Sequence, residues 1–106
     1  GKVAKWTDEE ALYAAHTFLA QGLTLRTAEP IIGFPKSTIK EMFESEVVKS
    51  DPELYNDVKE LLQINIILSN FDDSKQEKAR YVNALNKRSS LLEKYQGQEK
   101  ENGKGY

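Results

Sequence analysis

The stretch GFPKSTI, residues 33–39, is the part of the chain that decides its expected fold. Glycine tolerates the left-handed backbone conformation that ends a helix, so Gly33 predicts the end of one short helix. Hydroxyl residues favour helix starts, and Ser37 and Thr38 stand where a second helix is expected to begin. A short helix, a glycine turn and a second helix predict a helix-turn-helix.

The segment before this turn predicts two helices. The first covers about residues 8–21, where Thr7 and Glu10 have the spacing of a capping box. The second falls within residues 25–32, with Thr24 or Thr27 as its cap.

Proline is tolerated in the first turn of a helix but is costly further in. Pro30 lies near the middle of the second predicted helix if Thr24 is the cap, and in the first turn if Thr27 is the cap. We therefore expect the second helix to start late or irregularly.

Three helices are expected from the turn onward. The recognition helix is predicted over about residues 36–47, with Ile39, Met42 and Phe43 as its buried stripe. A capping hydroxyl, an early proline and first-turn acids in residues 50–53 predict the start of the next helix.

The last predicted helix runs over about residues 74–95. Val82, Leu85 and Leu92 lie on one apolar arc, which suits either the core or a homodimer seam. Tyr81, Leu91 and Tyr95 extend this arc. The glycine-containing polar segment of residues 97–106 predicts a disordered tail.

No segment alternates between apolar and polar residues with a period of two, so an all-α fold of about five helices is expected. We predict a helix-turn-helix domain over residues 1–70 and a long C-terminal helix over residues 71–96. That helix packs on the domain or on a second copy.

Composition excludes several classes of function. The 106 residues include no cysteine, which rules out disulfides, zinc fingers and thiol catalysis. No apolar run is long enough for a membrane helix, so a cytoplasmic protein is expected. His16 is the only histidine and has no partner at a metal or triad spacing, so we predict no metal, no cofactor and no enzymatic activity.

The charge is distributed unevenly around a net value of −2. Residues 51–72 carry one basic and five acidic side chains, for a sum of −4. Residues 75–104 carry eight basic and four acidic side chains, for a sum of +4. Such asymmetry is compatible with local phosphate contacts in spite of an acidic total.

The start of the predicted recognition helix carries the side chains that suit DNA. Lys36, Ser37, Thr38 and Lys40 could reach base edges and phosphates in a major groove. Arg26, near the start of the bracing helix, could hold a backbone phosphate. Spacing alone leaves open a plain helical turn in a small bundle.

Residues 24–62 resemble the stage III type D sporulation regulators, which are small bacterial helix-turn-helix transcription factors. The resemblance rests on TLRTAEPIIGFPKSTIKEMF (residues 24–43) and on DPELYNDVKELL (residues 51–62). It implies that the second helix of the pair reads DNA through the same lysine and hydroxyl positions, with Arg26 as a backbone clamp. Glu29 and Pro30 depart from the family pattern in the bracing helix. A relative from a phage or mobile element is also compatible with these departures.

The C-terminal helix offers a second set of cations. Arg80, Lys87 and Lys94 recur at a spacing of seven residues. They could track phosphates beside the main site, or they could form a solvated face opposite the packing stripe.

Two functions remain open from the sequence. The first is a sequence-specific binder of double-stranded DNA that regulates transcription. The second is a protein-interaction module on a helix-turn-helix scaffold without DNA binding, of the kind found as a phage or mobile-element accessory protein. Glu41, Glu44 and the acidic total favour the second.

Overall fold

The computed structural model describes residues 5–72 and 78–104, with side chains as far as Gly97. These residues form α1 (Asp8–Ala20), α2 (Leu25–Ile32), α3 (Lys36–Phe43), α4 (Glu46–Lys49), α5 (Pro52–Ser69) and α6 (Lys78–Lys104). No strand occurs in the described part of the chain, which confirms an all-α fold with a long C-terminal helix. The additional helix is α4, because the predicted recognition helix divides in two.

The central element is α1, which packs against all five other helices. Its start matches the predicted capping box: the Thr7 hydroxyl accepts from the Glu10 N–H, and the Glu10 carboxylate accepts from the Thr7 N–H. Ala11, Ala14 and Ala15 are fully buried along this helix. Their small side chains let the surrounding helices approach closely, so α1 organises the core.

The turn after α1 is held by side chains from distant helices. The Arg88 guanidinium donates to the Gly22 carbonyl at 3.0 Å, and the Asn65 amide donates to the Leu23 carbonyl at 3.0 Å. Gln96 donates to the Ala20 carbonyl. Since the last carbonyls of a helix have no partner within it, Gln96 of α6 supplies one for the end of α1. Arg88 of α6 and Asn65 of α5 hold the two residues Gly22 and Leu23 that follow.

The start of α5 follows the predicted signal, with Pro52 as its first residue. Asp51 is the cap, and its carboxylate accepts from the Leu54 N–H at 3.2 Å. The preceding hydroxyl, of Ser50, donates instead to the Val47 carbonyl. The helix ends at Ser69, and Asn70 closes it.

The buried stripe of α6 differs from the predicted one. Ala84, Leu91 and Tyr95 are buried, whereas Val82 is 50% exposed and Leu85 37% exposed. Leu91 and Tyr95, which extend the predicted arc, are therefore confirmed as buried, whereas Val82 and Leu85 are not. The prediction missed Ala84 because periodicity selected large apolar residues and passed over a small one. Leu92, the third residue of the predicted stripe, is half-buried.

The C-terminal end of α6 also differs from expectation. Its predicted start near residue 74 lies outside the described residues. Residues 97–104, expected to belong to a disordered tail, continue the helix to Lys104. None of the described helices has a stretch that is both long and apolar enough to cross a bilayer.

A polar cluster fastens α6 to α5. The Tyr95 hydroxyl and the Lys94 ammonium both donate to the same Asp57 carboxylate oxygen, and Lys94 also pairs with Glu53. Burial and the hydrogen bond to Asp57 raise the pKa of Tyr95. Partial burial lowers the pKa of Lys94, but hydrogen bonds with Asp57 and Glu53 outweigh it, so the net pKa is raised. The His16 ring lies 5.7 Å from the Tyr95 ring, beside this cluster.

Candidate nucleic-acid interface

The bracing helix α2 starts early, so the expected late start is wrong. The Thr24 hydroxyl accepts from the Thr27 N–H at 3.1 Å, and the Thr27 hydroxyl accepts from the Thr24 N–H at 2.9 Å. This reciprocal pair is a capping box in which threonine replaces the usual glutamate. Pro30 therefore lies inside the helix. Pro30 and Arg26, the residue whose carbonyl loses its helical partner, are both exposed residues.

The turn between α2 and α3 has the geometry expected from the sequence. Gly33 closes α2 with φ of 90° and ψ of 19°, and its N–H donates to the Glu29 carbonyl at 2.9 Å. A Cβ atom at this position would meet no atom within 4 Å. Glycine is thus required here by the backbone conformation and not by lack of space.

The N-terminus of α3 is capped by a side chain that the sequence analysis did not identify. Pro35 occupies the cap position and supplies no side-chain hydrogen bond. The Glu29 carboxylate, one turn before the end of α2, accepts from the Lys36 N–H at 2.8 Å. The expected hydroxyl cap is therefore replaced by a carboxylate from the bracing helix. A proline at the cap position, with an acid six residues before it, was the available signal.

The predicted recognition helix corresponds to α3, which is shorter than expected. Ile39, Met42 and Phe43 are buried, as their spacing indicated, but α3 ends at Phe43 and not near residue 47. The Ser45 hydroxyl donates to the Met42 carbonyl at 2.6 Å, and Ser45 adopts an extended backbone before α4 begins. Such local serine bonds compete with the helix ladder, and the break lets Val48 enter the core.

The outward side of α3 holds most of the predicted contact residues. Lys36, Ser37 and Lys40 are exposed, and Thr38 is half-buried. Arg26 is exposed near the start of α2. Within residues 5–72 and 78–97, no carboxylate pairs with the two lysine ammonium groups or with the Arg26 guanidinium. These cations remain available to an external ligand.

Carboxylates share this side of the pair. Glu41 and Glu44 are exposed on α3, and the Glu44 carboxylate accepts from the Tyr55 hydroxyl at 3.0 Å. Lys59 in turn donates to the Tyr55 hydroxyl and lies 5.0 Å from its ring centre. The sequence analysis did not anticipate this link between the end of α3 and α5. Exposed carboxylates therefore accompany the unpaired lysines of α3, which makes this surface less basic than its lysines alone would make it.

The cations of the C-terminal helix lie elsewhere. Arg80 and Lys87 line a groove with Glu60 and Ile64 of α5. That side of α5 is roughly half a turn from the side that faces Lys40.

The Lys94 ammonium forms ion pairs with Asp57 and Glu53. The structure therefore does not bring these three cations next to the outward side of α3, and a phosphate at Lys94 would compete with two carboxylates.

Comparison with protein-family models, with curated proteins and with solved structures finds no match. Function is therefore inferred from the geometry of the chain itself.

Proposed function

We propose that the chain is a sequence-specific binder of double-stranded DNA that uses α2 and α3 as a helix-turn-helix and regulates transcription in the cytoplasm. The inner side of α3 is anchored by fully buried apolar residues, and its outer side carries free lysines and a hydroxyl. The resemblance of residues 24–62 to sporulation regulators supports the same function.

The observation that carries this proposal is the turn at Gly33. Its left-handed backbone ends α2, and α3 begins only three residues later, at Lys36. A tight turn of this kind leaves the first turn of the second helix exposed, where Lys36, Ser37 and Lys40 can meet phosphates and base edges.

A dimer through α6 is the arrangement that we propose for engaging two half-sites. Support comes from Val82, a large apolar side chain that is half exposed near the start of α6. Sedimentation of the full chain and of Val82→Asp tests it, since the charged variant would sediment as a monomer.

Selection from a randomised duplex library tests DNA binding directly. We expect an enriched motif and an affinity that falls steeply with salt. Lys36→Ala with Lys40→Ala should weaken binding and reduce the salt slope by about 0.9 for each lost phosphate contact. The matched control is Lys5→Ala with Lys49→Ala, which removes the same charge from two exposed lysines outside the proposed contact set. Equal effects of the two double variants would rule out α3 as the contact surface.

A second candidate is a protein-interaction module without DNA binding. It is favoured by the Glu29 carboxylate, which occupies the helix end where an anion such as phosphate would otherwise bind. Absence of any enriched motif at low salt, together with a folded protein, would favour this function.

A further inference from the structure

An apolar groove runs between the helix-turn-helix pair and α5. Its volume is about 400 Å³, and its apolar walls are formed by Leu25, Leu62 and Ile66. Asn65 and Ser69 lie along its floor, and Lys40 stands at one end. Ile66 of α5 is 52% exposed, whereas isoleucine side chains are usually buried.

The groove continues toward α6. A second depression of about 390 Å³ shares Thr24, Asn65 and Ser69 with the first and reaches Leu85 and Arg88. Leu62 and Ser69 are the first and last residues of α5 that line the groove. They are seven residues apart, so the lining stretch of α5 is about 10 Å long at 1.5 Å per residue. This length accommodates roughly two turns of another helix.

The polar groups on the floor are already used within the chain. The Asn65 amide donates to the Leu23 carbonyl, and the Ser69 hydroxyl donates to the Ile66 carbonyl. A ligand would therefore find mainly apolar contacts in the groove, with Leu25, Leu62 and Ile66. This excludes a polar small molecule or a nucleic acid backbone as a well-matched occupant.

The charged side chains around the groove all have one sign. Lys40 stands in the first depression and Arg88 in the second, and no carboxylate is among the described residues that line either one. An occupant with acidic residues at both ends of a short apolar face would complement this pattern. An amphipathic helix presents such a face through residues at i, i+4 and i+7.

We propose that this groove binds an acidic amphipathic helix of a partner protein, with two turns lying along α5 between Lys40 and Arg88. This proposal goes beyond DNA binding and does not depend on it. Because Lys40 belongs to both surfaces, the bound helix would lie beside α3.

A display library of helical peptides, randomised at every position and selected against the full chain, tests the proposal. We expect enriched peptides with apolar residues at i, i+4 and i+7 and with aspartate or glutamate toward both ends. Ile66→Asp should weaken their binding at least roughly tenfold, since it places a charge on the apolar wall. The matched control is Ile31→Asp, the same change at a 43% exposed isoleucine outside the groove, which should leave binding unchanged.

A second variant keeps the test independent of folding. Lys40→Glu alters only an exposed side chain. It should weaken the binding of acidic peptides several-fold, and it should leave the binding of the same peptides unchanged when glutamine replaces their acidic residues. The proposal is overturned if no peptide is enriched, or if Ile31→Asp and Ile66→Asp act alike. It is also overturned if Ile66→Asp dissociates a dimer of the chain, because the occupant would then be a second copy. DNA selection on the same variants separates this result from the proposed function.

Discussion

Gly22 offers the sharpest test of how the helices are held together. It adopts a left-handed backbone with φ of 58°. A Cβ atom there would lie 2.7 Å from Nη2 of Arg88 and 3.0 Å from Cδ2 of Leu92. We predict that Gly22→Ala costs more than Gly33→Ala, although both glycines have positive φ.

The expected magnitudes follow from these contacts. A left-handed alanine costs roughly 1–2 kcal/mol, and this is the whole cost at Gly33, where a Cβ meets nothing. At Gly22 the Arg88 guanidinium must also withdraw from the Gly22 carbonyl. The loss of that hydrogen bond adds about 1–2 kcal/mol, for a total of roughly 2–4 kcal/mol. Each kcal/mol corresponds to a decrease in Tm of roughly 4–8 °C in a domain of this size.

Urea and thermal unfolding, followed by far-ultraviolet circular dichroism, measure these differences. The decisive comparison is the double-mutant cycle with Arg88→Ala. In that background Gly22→Ala should lose its extra cost, leaving a coupling energy of about 1–2 kcal/mol between the two positions. Equal costs of Gly22→Ala in both backgrounds, or equal costs at the two glycines, would refute the reasoning.

Three further outcomes are expected. Glu29→Gln keeps an oxygen that can accept from α3 but removes its charge. Stability should fall by roughly 0.3–1 kcal/mol. Affinity for a selected duplex should rise roughly 2–5-fold, because a negative charge near the DNA phosphates is removed; an unchanged affinity in a titration would mean that no DNA phosphate lies close to residue 29. Pro30→Ala should stabilise α2 by about 1–3 kcal/mol in urea unfolding, because it restores a helical hydrogen bond; a loss of stability would mean that the proline ring makes contacts of its own. The pKa of Tyr95 is raised above 10.0 by burial and by its hydrogen bond to Asp57, and the net pKa of Lys94 is raised above 10.5. Groups with raised pKa values stabilise the fold fully below their unfolded values, so stability should decrease above about pH 10. Asp57→Asn should show a shallower decrease in pH-dependent unfolding, and a slope as steep as that of the unsubstituted chain would contradict the assignment.

Several helix ends could be predicted because their signals are local. The Thr7 and Glu10 capping box, the Asp51–Pro52 start and the Gly33 turn all act over a few residues of backbone. Local hydrogen-bonding and dihedral preferences therefore determined them. The same reasoning failed at Pro30, where the cost of a proline inside the helix was given more weight than the Thr24–Thr27 capping box.

By itself the sequence determined the all-α class, most helix starts and the position of the glycine turn. Only the tertiary structure decided which arc of α6 is buried and that Glu29 caps α3. It also decided that Lys94 is paired and not free. The physical reason is distance along the chain: Gln96 reaches the Ala20 carbonyl across 76 residues, and Arg88 reaches Gly22 across 66. Local preference carries no information about such partners, because they meet only when the helices pack.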